Sequence, residues 1–200
     1  MSEERQSNTL YIYLPYDVPY TENATKRLKA MFKTDKVEII VGVPYDKPIR
    51  NSIVWINSHG LKRTDKHDFM IEVSKVKNDY MYLLYLQNRK YYIESSDFEK
   101  FFDIKDSIII FDACYSSEIC IRTLGNWKTN LIFTCGYIPE YYNEESSNLI
   151  NLLVIIYKRL KQKYPCLSNL NYEILLKEKD FINEICTEIN KDISTQFSLF

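Results

Sequence analysis

The chain has 200 residues, enough for one domain with a sizeable core, and its 46% hydrophobic and 26% charged residues are ordinary for a globular protein. A formal net charge of −1 gives no electrostatic reason to expect nucleic acid or an anionic membrane as a partner. Five cysteines, an odd number with no Cys-x-x-Cys pair, argue against a disulfide framework and against a zinc site. Met1-Ser2-Glu3-Glu4-Arg5 is polar with no apolar stretch behind it, so no secretory signal is read there. The longest apolar run, near Leu149–Tyr157, is too short to cross a bilayer. The expectation is a single cytoplasmic domain over residues 1–200, with 1–8 disordered and the thiols reduced.

Thr9–Leu14 is β-branched and aromatic and is stopped by Pro15, which reads as a first strand. Thr21–Thr34 carries Ala24, Leu28, Met31 and Phe32 at helical spacing, with lysines and Arg27 filling the solvated face. Lys36–Val43 reads as a second strand closed by Gly42 and Pro44, and Ile53–Asn57 as a third. Asp68–Val73 and Met81–Leu86 read as short strands, and Gln87-Asn88-Arg89-Lys90 as a turn returning through Tyr91–Glu94. Ser96-Asp97-Phe98-Glu99 has the capping-box pattern, so a short helix is predicted through Phe102. Ser107–Phe111 is the next strand, Ser117–Leu124 a helix ended by Gly125, and Asn130–Thr134 the last core strand. Ser146 caps a long helix to about Lys163. Asn171–Asn190 is helical in one broken piece or two, and Ser194–Phe200 suits a final edge strand. Strands that alternate with helices and are apolar almost throughout imply an α/β fold, with a mostly parallel sheet of about six strands covered by helices on both faces. The Asp68–Glu94 segment is a small hairpin insertion.

Two strands end in chemistry. Ile53–Asn57 is followed by Ser58-His59-Gly60. Ser107–Phe111 is followed by Asp112-Ala113-Cys114, with Cys114 fifty-five residues after His59. In open α/β sheets, sites form beyond the carboxyl ends of strands. A cysteine attacks as thiolate and needs a base beside it, and His59 is the residue that could take the Cys114 proton and return one to a leaving amine. The N–H groups of Gly60 and Cys114 would be the oxyanion donors, a kind of contact worth roughly 2.7–4 kcal/mol each. The bland alternatives are a small buried cysteine and a His-Gly turn. Both ordinary features falling at two strand tips of one sheet is what favours catalysis.

His59-Gly60 after one apolar strand and Asp112-Ala113-Cys114 after another resemble the two catalytic blocks of caspase-like cysteine peptidases, the clan that holds caspases, metacaspases and paracaspases. The order of elements from Thr9 onward is similar too, including the hairpin and short helix between the blocks. The resemblance implies a three-layer caspase-like fold and a hydrolase of the thiol-protease type. His59 and Cys114 would be its catalytic dyad and Gly60 would complete the oxyanion hole. Animal caspases have Gln two residues before the cysteine. Asp112 in that place is similar to metacaspases and paracaspases, where the acid lines the S1 pocket and selects Arg or Lys. Asp17 would be a second pocket acid, with a turn or cap role as its alternative. Gly136 and Tyr137, in the stretch to Glu140, would form one wall of the cleft. A non-catalytic caspase-like scaffold or regulatory module is the second reading. A small-molecule thiol amidase is the third, weakened by the lack of a Gly-x-Cys-x-Gly elbow.

Only seventeen residues separate Cys114 from Leu131, so no long processing linker is expected and the chain should need no internal cut. Control would come from an activating partner or a homodimer, with Ser194–Phe200 able to pair across the latter. The partners expected are a protein or peptide substrate, not nucleic acid or membrane. No cofactor is expected. Glu140, Glu144 and Glu145 leave calcium open by resemblance to some metacaspases, against a simpler role at the following helix N-terminus.

Overall fold

A computed structural model describes residues 9–15, 36–63, 68–116, 129–135 and 197–199, with shorter pieces at 26, 30, 127, 158–159, 161–164 and between 177 and 187. In chain order its strands begin with β1 (Thr9–Leu14), β2 (Lys36–Val41), β3 (Ile49–Arg50) and β4 (Ile53–Asn57). Then come β5 (Gly60–Arg63), β6 (Asp68–Val73), β7 (Tyr85–Gln87) and β8 (Lys90–Glu94). The last are β9 (Ile104–Lys105), β10 (Ile108–Asp112), β11 (Leu131–Cys135) and β12 (Phe197–Leu199). Lys26 and Ala30, between β1 and β2, have helical backbone, as do Lys158, Arg159 and Lys161 to Lys163.

The class is α/β. Six strands form one sheet in the order β12-β11-β10-β4-β1-β2. All its pairings are parallel except the last, β11 with β12. β4 lies between β1 and β10, and all five of its residues are buried, as a central strand of a parallel sheet requires. The edge strand β2 shows the opposite, with Lys36 and Val41 exposed.

The register sorts the side chains into two layers. Tyr13, Val54, Ile56, Ile109, Phe111 and Ile132 occur at alternate positions and join one core cluster. Phe98 stacks on Phe111 at 5.5 Å between centroids, and Phe102 and Trp127 close around them. Trp127 keeps its ring N–H paired by donating to the Phe102 carbonyl at 2.9 Å. Leu10, Ile12, Ile53, Trp55, Ile108 and Ile110 are buried as well, on the alternate positions.

The hairpin insertion is a four-stranded antiparallel sheet in the order β5-β6-β8-β7. Its extra strand β5 follows directly from β4 and was not foreseen. Gly60-Leu61-Lys62-Arg63 has no β-branched residue, and only pairing with β6 makes it a strand. Four predicted elements differ in the structure. Met81–Leu86 is not one strand: Asn78–Leu83 is a 3-10 helix, and strand geometry starts at Tyr85. Tyr80 and Leu83 pack on the core at the i, i+3 spacing of that helix, while Tyr82 between them is exposed. The helix after Ser95 opens with a 3-10 turn, Ser95–Asp97, and runs only over Phe98–Phe101, with no side-chain cap at its start. Its hold is apolar, through buried Phe98, Phe101 and Phe102. Strands predicted to begin at Ser107 and Asn130 begin one residue later, because both residues use their side chains to bind neighbouring backbone. The predicted helices at Thr21–Thr34, Ser117–Leu124, Ser146–Lys163 and Asn171–Asn190 lie largely or wholly outside the described residues.

Candidate active site

β4 and β10 are adjacent and parallel, with Asn57 opposite Asp112 at their carboxyl ends. Equal lengths of chain then carry each strand on, through Ser58 to His59 and through Ala113 to Cys114. The two segments meet at the backbone. A Cβ on Gly60 would lie 1.8 Å from the Cys114 carbonyl oxygen and 2.9 Å from its nitrogen. Any side chain there would displace the cysteine, so glycine is needed for space.

The chain turns sharply at the cysteine. The Ser116 N–H donates to the Ala113 carbonyl at 3.1 Å, which puts Cys114 and Tyr115 at the centre of a tight turn. Tyr115 has φ 63°, a left-handed conformation that costs a residue with a side chain roughly 1–2 kcal/mol. Two contacts hold it there. The fully buried Ser116 donates its hydroxyl to the Phe111 carbonyl at 3.1 Å, and Tyr115 packs against the core. Ala113 is buried beneath. Cys114 is half-buried and in no disulfide, and His59 is half-buried also, so each has a solvent-facing part.

His59 is held from the other sheet. The buried Ser58 donates its hydroxyl to the Glu72 carbonyl at 2.7 Å, and the Glu72 N–H donates to the His59 carbonyl at 2.9 Å. That makes His59–Glu72 a hydrogen-bonded step of the antiparallel ladder. The next pair, Gly60–Ile71, is then of the other kind, whose N–H groups point away from the partner strand. β5 is the outer strand of its sheet, so the Gly60 N–H faces off the ladder's edge.

The described structure thus brings Gly60, next in the chain to His59, against Cys114. Asp112 closes β10, two residues before the cysteine. Asp17, Gly136 and Tyr137 lie outside the described residues, as do Glu140, Glu144 and Glu145 and the helix predicted after Cys114. Among the described residues no group of three or more His, Cys, Asp or Glu could hold a metal ion, and no helix is long and apolar enough to cross a membrane. Ser58, Glu72 and Ser116 were missed from sequence. Glu72 had a signal, as a charge within the apolar run Phe69-Met70-Ile71-Glu72-Val73. Ser58 and Ser116 had none, because their partners are main-chain atoms.

Comparison with protein-family models, with curated proteins and with solved structures found no match to this chain.

Proposed function

We propose that the chain is a caspase-like cysteine endopeptidase with His59 and Cys114 as its dyad and a three-layer caspase-like fold. One observation carries the proposal: Gly60 packs with no room for a Cβ against the backbone of Cys114, at the carboxyl ends of adjacent parallel strands. Contact that close supports a role for the histidine before the glycine as the base that the cysteine needs.

In the reaction proposed, His59 takes the Cys114 proton and the sulfur bonds to the scissile carbonyl carbon. The carbonyl π electrons move to oxygen, which accepts hydrogen bonds from the Gly60 and Cys114 N–H groups. As that oxyanion collapses, the C–N bond breaks and His59 gives its proton to the leaving amine. Water, deprotonated by His59, then cleaves the thioester and restores the thiol. Asp112 would select Arg or Lys at P1, since a carboxylate in a confined pocket pairs with a basic side chain and repels an acidic one. The enzyme would act in the cytoplasm on protein or peptide substrates, without a cofactor, under control of a partner or a homodimer.

Fluorogenic peptides with Arg, Lys, Asp or Leu at P1 test this, with Cys114→Ala as control. Turnover of the Arg or Lys peptide, lost in the variant, is the expected result. Turnover of the Asp peptide instead would keep the dyad and remove Asp112 from the pocket. A folded chain that turns over none and binds a protein partner would be the scaffold of the second reading.

A further inference from the structure

β6 carries a charge into the interior. Phe69, Met70, Ile71 and Val73 are buried, and Glu72 among them is only 5% exposed. A buried carboxylate needs a partner, and the Lys90 ammonium on β8 stands 3.0 Å from Oε2. The place of this pair in the ladder gives it meaning. One step back from the Gly60–Ile71 pair, Glu72 lies across from His59 and donates its N–H to the His59 carbonyl at 2.9 Å. Residues paired in this way have Cα atoms about 5.5 Å apart and send their side chains to the same face. The carboxylate and the imidazole therefore leave the ladder on the same side. Lys90 is half exposed, so water screens its charge more than that of Glu72.

We propose that Glu72 is a positioning residue for His59: its buried carboxylate favours the imidazolium form, and Lys90 tempers how strongly. The inference rests on the dyad proposed above. The only bond changes are the S–H bond broken at Cys114 and the N–H bond formed on the His59 ring, which leaves a thiolate–imidazolium pair at rest. Among the described residues, the other titratable or charged groups on the elements around His59 are Lys62 and Arg63 on β5, Asp68 on β6, Tyr91, Tyr92 and Glu94 on β8, Asp112 at the end of β10, and Cys114 and Tyr115 beyond it. Glu72 and Lys90 form an ion pair whose two charges can be removed one at a time.

The test follows the His59 ring signal by NMR across pH in the full chain carrying Cys114→Ala. The chain has two histidines, so His67→Gln assigns the signal. Glu72→Gln should lower the titration midpoint by about one unit, and Lys90→Met should raise it. With Cys114 intact, alkylation of its sulfur at acidic pH should slow about tenfold in Glu72→Gln and quicken in Lys90→Met. A purely structural ion pair would lower the melting temperature in both variants and move neither midpoint. Midpoints that stay put, or move the same way, in folded variants overturn the proposal. If Glu72→Gln does not fold, Lys90→Met decides alone, and an unchanged midpoint overturns it. The dyad is separated by His59→Gln: if that leaves the pH profile of Cys114 alkylation unchanged, the peptidase reading fails, while the His59 ring signal in the Cys114→Ala chain still reports on Glu72.

Discussion

At their amino ends β4 and β10 are tied by small polar side chains that bind backbone. The Ser52 N–H donates to Ser107 Oγ at 3.2 Å, the Ile108 N–H to the Ser52 carbonyl at 2.9 Å, and the Ser107 N–H to Asn130 Oδ1 at 3.0 Å. Asn130 also donates to the Ile104 carbonyl at 2.9 Å. At their carboxyl ends the continuations of the same strands meet through a missing Cβ, with a tyrosine in left-handed backbone next to the cysteine. The amino ends have left-handed residues too, but these are Asn51 and Asp106, types that adopt that backbone readily, and polar bonds hold the strands together there. The carboxyl ends accept crowding and strain, and that is where His59 and Cys114 lie. Strain of this kind persists only where the surroundings hold it, and it clusters at functional sites.

Substitutions can break this contrast at either end. Gly60→Ala should have the largest effect on chemistry. Its methyl displaces the Cys114 backbone, and misplacement on the scale of 1 Å costs on the order of 100-fold in rate. Alkylation of Cys114 and peptide cleavage would report the loss, which should far exceed the loss of stability. Asn130→Ala should do the reverse. It leaves the buried Ser107 N–H and Ile104 carbonyl without their partner and should cost about 2–4 kcal/mol in denaturant melts. Cys114 alkylation in the native state should not change. If Asn130→Ala slowed alkylation as much as Gly60→Ala does, the two ends would not be distinct.

A finer comparison is at Tyr115. Both Tyr115→Ala and Tyr115→Gly lose the ring's packing, but only glycine is relieved of the left-handed backbone. The glycine variant should be more stable than the alanine variant by about 1 kcal/mol, the reverse of their usual order. Equal stabilities would remove strain from the description of the turn.

The smallest effect lies at the edge strand β2, away from both ends. Tyr45 donates its hydroxyl to Glu38, and this bond, with help from Lys36, holds the Glu38 carboxyl below its ordinary value of 4.5. A carboxyl depressed in the folded state contributes stability above its unfolded value, and loses it as the pH falls through the folded one. Tyr45→Phe should cost about 1 kcal/mol at neutral pH, reduced by the partial exposure of the pair. The gap from the parent chain should close as the pH drops below 4.5. A gap that stayed constant with pH would mean the tyrosine acts by packing alone.

Much of the large sheet could be read in advance, for a physical reason. β1 and β4 have the bounds expected from sequence, because a strand buried on both faces is a continuous apolar run. The Asn88-Arg89 turn was visible from its polar residues between strand-like runs, and both adopt the positive φ such a tight hairpin needs. β5 was hidden, since a partner strand rather than composition makes it extended. The place of Glu72 across from His59 was hidden too, because register belongs to pairing. Sequence points to Gly60 as an oxyanion donor but not to the reason it must be glycine, which is that Cys114 fills its Cβ space. His59 and Cys114 stood out because each ends an apolar strand. Asp17, Gly136 and Tyr137, proposed from resemblance, lie outside the described residues.

The most direct measurement is labelling of the intact chain by an electrophilic peptide probe with Arg at P1, located by mass spectrometry, in the parent chain and in His59→Gln. It needs no knowledge of the natural substrate. The dyad predicts one adduct, on Cys114, forming at least about tenfold faster than on any of the other four cysteines and slowed to their level without His59. Labelling of Cys114 no faster than the others, or at a rate indifferent to His59, would contradict a catalytic pair at this site.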